Sequence, residues 1–430
     1  MSIKLNKYYL PIAFMLFTYM LYMSYYIENT LIVTISIFMV LLVIYFMMPK
    51  IKLTNKRHVM LYKIMVVFGL MYLLRAFIDV YIIGVHQILF TNDSTAIFYV
   101  FNAILVPLVA LTRGKFQGKF TWVFLFTAIM LILSLFYSLQ NFLHGNVQKT
   151  NDLRIGANDS LGVIEYGHLG LTATIMGVTL LLKRKENRLF KYSSLVLIPI
   201  GIVSIFLAGT RSAMVGAVVI FTLFVLSSQK RKVVIPFLLL IASLVVFSES
   251  IINFAESFNA AGPVIRIYRL INEEGDQSSG RTIIWLYALN QISDSPLFGV
   301  SCFFQTFDTE VQYIHNSFIE VFYAIGIFGF VVFVIMNFVA IKTSIRIFRS
   351  DNADMKCFAF LYLQYFVYSL FSDTILRLNL FWFFLAVVLC IHFNGLVDKK
   401  KKVPKYIETK NTEQSQFASA PVQQLDTQAL

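Results

Sequence analysis

Cysteine, histidine, tryptophan and charge are all scarce in this chain, and each scarcity removes a class of function. Three cysteines, six histidines and three tryptophans are spread over 430 residues, and only 14% of positions are charged. Cys302 falls in a segment that reads as external, Cys390 in the last apolar run and Cys357 near the opposite membrane edge. No two share an oxidising compartment, which excludes a disulfide framework. No Cys/His cluster has zinc spacing. No Asp-x-Asp motif occurs in the external segments, so a metal-bound nucleotide sugar is not expected. The first apolar run is long enough to span a bilayer and lacks a small-residue cleavage pattern, so it reads as a retained anchor rather than a cleaved leader. No internal repeat is present.

What is abundant is apolar surface. Hydrophobic residues make up 58% of the chain and aromatics 16%, with a mean hydropathy of +0.72. That exceeds what a soluble domain around one core would carry. A helix crosses roughly 30 Å of hydrocarbon with about 20 apolar residues. Twelve such runs are expected near 8–27, 30–49, 60–84, 95–112, 120–140, 163–182, 192–208, 212–228, 233–250, 317–341, 357–371 and 379–396. The expected fold is an all-α integral membrane protein with about 12 transmembrane helices and one large external loop, 251–316, that contains short helices.

The net charge of +13 sits in short loops beside these runs and forms no stripe with interleaved aromatics, so it sets topology and does not bind nucleic acid. Most Lys and Arg fall on one side: Lys4 and Lys7, Lys50 to Arg57, Arg113 to Lys119, Lys183 to Lys191, Lys230 to Lys232, Lys342 to Lys356 and Lys399 to Lys410. Positive-inside orientation places that side and both termini in the cytoplasm. Residues 1–398 read as one polytopic membrane domain and 399–430 as a disordered polar tail. The opposite side holds only Lys149, Arg154, Arg211, Arg266, Arg269, Arg281 and Arg377. All but one of these are Arg, whose planar fork matches phosphate bidentately.

Two external segments are long, 141–162 and 251–316. The second carries Arg266, Arg269 and Arg281 against Glu256, Glu273, Glu274, Asp276, Asp294, Asp308 and Glu310, so it is acidic yet keeps three arginines. Ser278 to Gly280 precede an amphipathic stretch, Thr282 to Ile292, with Ile284, Tyr287, Ala288 and Gln291 at helical spacing; Pro296 and Gly299 end it. Arg281 lies in its first turn.

Four places carry candidate chemistry. His315-Asn316-Ser317-Phe318, where the loop re-enters the membrane, offers an imidazole base and an orienting amide, or plainly a helix-capping cluster. Ala208-Gly209-Thr210-Arg211-Ser212-Ala213 is a tight turn that fixes Arg211 where a lipid diphosphate lies, or lets it snorkel to headgroups. Gly280-Arg281-Thr282 with Trp285, and Arg154 with Gly156, Asn158 and Asp159, complete the set; the plain alternative for each is a solvated surface arginine. Arg75 and Asp79, four residues apart within a span, read as a neutralising pair. Glu165 and His168 begin the sixth span and could line the same cavity as Arg154.

The sequence AGTRSA, then GRTIIW…DSPLFG in the large loop, then HNSFIEVFYAIGIFG at the next span resembles the O-antigen ligase and polymerase superfamily over roughly residues 150–395. The chain departs at Val300 and Ser301, where many relatives carry a second Gly after Gly299. The resemblance implies a type C-like glycosyltransferase whose active site faces outward (periplasmic) from a bacterial plasma (inner) membrane. Its donor is an undecaprenyl-diphosphate-linked glycan, its acceptor a glycan or glycolipid, and it needs no cofactor and no metal. Arg211 and Arg281, with Arg154 as a weaker third, are then expected to hold the diphosphate as charge accumulates on the leaving oxygens. His315 is the expected base and Asn316 positions it or the acceptor.

The implied product is a surface polysaccharide: O-antigen, capsule or exopolysaccharide. Polymerisation of lipid-linked repeat units serves every envelope type, whereas transfer to lipid A core, the ligase alternative that completes lipopolysaccharide, serves only some. A glycolipid transporter or flippase is the remaining alternative and needs a row of polar residues across several spans, of which only Arg75 and Asp79 offer a sign. Membrane lipids, and a flippase or chain-length regulator, are the expected partners.

Overall fold

The computed structural model describes residues 39, 53–85, 97–98, 100–112, 120, 123–129, 131–133, 135, 163–228, 280–304 and 313–395. The expected span 8–27, the span 233–250, nearly all of 30–49, and Arg154 with its neighbours lie outside these residues. Every regular element among the described residues is helical. The chain divides into two units, Met1–Asn394 and Gly395–Leu430, and the described helices all lie in the first.

Helix α1, Lys56–Ile78, starts where Asn55 accepts the Arg57 N–H with its side chain, which satisfies one of the orphan donors of a first turn. It runs into a π-helical turn, Asp79–Ile83, closed by Gly84 at φ 75. A second π-helical turn, Phe101–Leu105, leads into α2, Val106–Leu111. Next come α3, Val163–Leu182; α4, Arg188–Ala208, capped by Asn187; and α5, Arg211–Ser228. Helix α6 is Arg281–Asp294 and α7 is Ser317–Arg349. The last two are α8, Ala353–Phe371, and α9, Asn379–Asn394. Helices thus occupy the expected spans from 163 onward that lie within the described residues.

Three of these helices, Lys56–Ile83, Arg188–Ala208 and Ser317–Arg349, are long and apolar enough to cross a membrane, with α5 and α9 shorter but apolar. Their exposed side chains are of the same character as their buried ones: Val67, Leu70, Leu74 and Phe77 on α1, Leu195, Val203 and Phe206 on α4, and Phe328 and Phe338 on α7 all face outward. Apolar residues on the outside as well as the inside are what lipid as solvent requires.

Helix α8 is the hub, packing against α3, α5, α7 and α9. It is buried along almost its whole length, as is α9. Helices α3 and α4 meet through small residues: a Cβ on Gly170 would stand 2.7 Å from the Gly201 carbonyl oxygen, and one on Gly201 would stand 2.5 Å from that of Gly170. Backbones approach this closely where side chains are absent, the usual glue between helices in lipid. At one end of the bundle Lys183 Nζ lies 2.9 Å from Asp354 Oδ1. That end also gathers Lys56, Arg57, Arg346 and Arg349. The opposite end carries Arg211, Arg281 and His315.

Near that opposite end α7 breaks at Ile325 and at Gly326, which has φ 67 and ψ −166. The segment after α6 enters the break. Ile327 N–H, which a continuous helix would direct to Tyr323, donates to the Pro296 carbonyl at 2.9 Å, and the released Tyr323 carbonyl accepts from Val300 N at 2.6 Å and Ser301 N at 3.3 Å. The break therefore exchanges helix bonds for bonds to another segment, which satisfies the Ile327 N–H and the Tyr323 carbonyl. Only glycine fits, because a Cβ on Gly326 would lie 2.2 Å from the Leu297 carbonyl oxygen.

Candidate functional site

The tight turn before α5 is built from small residues. Gly209 closes α4 in the left-handed region, φ 57. Gly167 of α3 approaches so closely that a Cβ on it would stand 2.1 Å from Thr210 Oγ1. Arg211 follows as the first residue of α5 and is part-buried. Its neighbour Ser212 is held at 3.0 Å by His168 Nε2 and at 3.5 Å by Ser372 Oγ. The His168 ring lies 4.1 Å from that of Tyr368. His168, at the start of the expected sixth span, thus joins α3 to this turn; the cavity that it and Glu165 could share with Arg154 involves a residue outside those described.

Arg281 begins α6, after Gly280 at φ 79. The face expected from helical spacing is the one that packs: Ala288 and Ile292 join Ile314 and Tyr323 in a buried cluster, with Trp285 against it. Trp285 Nε1 donates to the Ile314 carbonyl at 2.9 Å, and Tyr323 donates its hydroxyl to Gln291 Oε1 at 2.9 Å. One residue past Ile314, His315 sits at φ 59, outside the usual range for a non-glycine residue. Its ring lies 4.2 Å from that of Tyr313, and its buried Nδ1 has no hydrogen-bond partner. Burial first, and then the Arg281 guanidinium, push its pKa down to about 4. The Trp285–Ile314 bond brings the first turn of α6 toward His315, and burial with the Arg281 charge holds the imidazole in its neutral form at pH 7.

Asn316 does what a capping residue does. Its Oδ1 accepts the N–H groups of Phe318 at 3.0 Å and Ile319 at 3.2 Å, so the cap of α7 is Asn316 and not His315. That commits the amide oxygen and leaves Nδ2 as the group for an orienting or acceptor-binding role.

The pair Arg75 and Asp79 does more than neutralise itself. Their side chains lie 2.9 Å apart. Arg75 Nη2 also donates to the Val300 carbonyl, while Asp79 Oδ2 accepts from Ser301 Oγ at 3.1 Å and from the Cys302 N–H. Val300 and Ser301, the departure from the expected glycine, thus tie the segment after α6 to α1. Cys302 beneath them is free and buried. Burial, then Asp79 and Glu320, raise its thiol well above the usual range.

The turn between α8 and α9 received no role from sequence, although Arg377 stood among the arginines on the sparse side. Glu320 of α7 accepts from Thr374 Oγ1 and, at 3.0 Å, from Ile375 N, which fixes the turn to the helix that follows His315. Asp373 adopts φ 61, accepts the Thr374 N–H at 2.7 Å and lies 3.9 Å from Arg377 Nε. Burial raises its carboxyl pKa, partly offset by Arg377 and that N–H. Tyr313 is raised by burial and then by Asp373, with Arg377 and Arg281 opposing. One end of the bundle thereby gathers guanidinium, carboxylate, imidazole and phenol groups from α5, α6, the start of α7 and this turn.

Residues 195–334 match the model of the O-antigen ligase family. Over these residues the chain is similar to the O-antigen ligase family. The match runs from within α4 to the middle of α7 and so takes in Arg211, α6 with Arg281, the break in α7, and His315 with Asn316. No curated protein matches the chain. Together with the apolar helices, the match makes the chain a multi-pass membrane protein. The matched residues coincide with the segments that Gly326, Trp285 and the Arg75–Asp79 pair hold together.

Proposed function

We propose that this protein is an outward-facing, metal-independent glycosyltransferase that joins undecaprenyl-diphosphate-linked repeat units into a surface polysaccharide. The observation that carries the reading is the juxtaposition, inside the residues matched to the O-antigen ligase family, of Arg281 with a neutral, half-buried His315 whose Nδ1 is unpartnered. Arg211 and Arg281, with Arg154 as a third, bind the donor diphosphate through paired N–H donors. The acceptor sugar hydroxyl attacks the anomeric carbon and the bond from that carbon to the diphosphate oxygen breaks. The electron pair goes to the leaving diphosphate, where the guanidiniums stabilise it. The hydroxyl proton goes to His315.

Arg281 gives the site an order. While its charge faces His315, the imidazole is a weak base. A bound diphosphate neutralises that charge, which raises the proton affinity of His315 when donor is present.

Transfer to lipid A core is the second reading, and the matched family, described as O-antigen ligase, fits either acceptor. Purified protein in liposomes, given undecaprenyl-diphosphate glycan as donor, separates the two. Chain extension with lipid-linked units as sole acceptor supports polymerisation. Transfer with lipid A core as sole acceptor, and no extension, supports ligation and overturns the polymerase reading.

A further inference from the structure

The turn 372–378 lies between the two halves of the candidate site. On one side Ser372 Oγ reaches Ser212 Oγ, next to Arg211, at 3.5 Å. On the other, Thr374 and Ile375 are bonded to Glu320, five residues past His315. The placement is costly. Asp373 is one of two non-glycine residues at positive φ among those described, and the other is His315. A non-glycine residue held there is strained and persists where its surroundings over-determine it, most often at binding and catalytic sites. Asp373 keeps 17% of its side chain exposed while Arg377 keeps 43%, so the carboxylate is recessed and the guanidinium opens toward solvent.

The chemistry of this turn differs from that of a diphosphate clamp. Asp373 and Arg377 together are neutral, and a carboxylate beside a guanidinium repels a dianion as much as its partner attracts it. A carboxylate that accepts, a guanidinium that donates and a phenol that does both are matched instead to the hydroxyls of a sugar, each of which is donor and acceptor at once. The phenol is at hand: Tyr313 lies in the field of Asp373 and Arg377, and its ring is 4.2 Å from that of His315. We infer that Asp373, Arg377 and Tyr313 form a subsite for the terminal sugar of the acceptor, which presents its attacking hydroxyl to His315. This subsite rests on the polymerase reading.

The test uses the purified protein with undecaprenyl-diphosphate glycan as donor. The acceptor is the same glycan released from its lipid and tagged at the reducing end; with no leaving diphosphate, it serves only as acceptor. Asp373→Gly is the informative variant, since glycine occupies φ 61 without strain, so the turn is kept and only the carboxylate is lost. Asp373→Gly and the exposed Arg377→Gln should each raise the half-saturating concentration of tagged glycan at least tenfold, with donor binding within twofold of wild type. Unchanged half-saturation in Arg377→Gln, or in a folded Asp373→Gly, overturns the subsite. Loss of donor binding in Arg377→Gln also overturns it and assigns the turn to the donor. Absence of any transfer to the tagged glycan by the wild-type protein defeats the polymerase reading, on which the subsite rests, instead, which keeps the two failures apart.

Discussion

Gly326→Ala should release the segment that ties α6 to α7, though it alters neither an arginine nor His315. At φ 67 and ψ −166 the backbone is in a region essentially reserved for glycine, where another residue costs about 1–3 kcal/mol. The added Cβ would stand 2.2 Å from the Leu297 oxygen, 2.4 Å from its carbonyl carbon and 2.7 Å from Phe298 N. These are backbone atoms that cannot rotate aside, so residues 296–300 must lift. Lifting breaks the bonds from Ile327 N to Pro296 O and from Val300 N to Tyr323 O, each worth about 0.5–1.5 kcal/mol. The sum is roughly 2–6 kcal/mol against the docked state. Cys302 reports on it, being buried in that segment with its thiol raised by burial. If labelling proceeds through local opening, a membrane-permeant maleimide should modify Cys302 about thirtyfold faster or more in Gly326→Ala. Cys357→Ser and Cys390→Ser serve as background. A rate within threefold of wild type would refute the reasoning.

Asp79→Ala should have the same effect from the other side, since it strands Arg75 and removes the acceptor for Ser301 and Cys302; Asp79→Asn keeps an acceptor and should label more slowly than Asp79→Ala in the same maleimide assay. Arg211→Ala and Arg281→Ala should abolish surface glycan at normal membrane levels, and Lys should restore it only in part because it keeps charge without the fork; full glycan with Arg281→Ala returns that residue to solvated surface. The acid limb of kcat/KM should lie near the His315 pKa of about 4, with the base form present above it and lost below. Removing the Arg281 charge favours the imidazolium, so Arg281→Gln should raise the His315 pKa while Arg281→Lys leaves it in place, as read from the imidazole titration by NMR on purified protein. Cysteines placed at Gln277 and Gln414 should react oppositely with an impermeant thiol reagent on sealed cells lacking Cys302, and labelling at Gln414 would reverse the orientation.

The helices were legible because apolar run length carries them, and α6 because Ile284, Tyr287, Ala288 and Gln291 recur at its period while Pro296 stops it. Arg281 beside His315 was legible only as two members of a motif; their meeting depends on Trp285 holding the Ile314 carbonyl, a contact across 29 residues that no local pattern encodes. Asn316 illustrates the limit in the other direction. Its place before an apolar run marks a helix cap, and capping is what its oxygen does. Asp373 gave no signal at all, because a left-handed aspartate in a short turn looks like any polar linker until Glu320 and Ser212 are seen on either side of it. The Arg75–Asp79 pair was recognisable from its spacing, but its service to Val300, Ser301 and Cys302 was not, since those partners lie more than 220 residues away.

The central claim is that His315 takes the proton from the acceptor while arginines hold the donor, and binding measured against turnover tests it most directly. Because Asn316 supplies the α7 cap, His315→Ala leaves the helix start intact. Purified His315→Ala should bind undecaprenyl-diphosphate glycan with wild-type affinity and transfer it at least about a hundredfold more slowly, the usual worth of a general base. Transfer at the wild-type rate by His315→Ala would contradict the account.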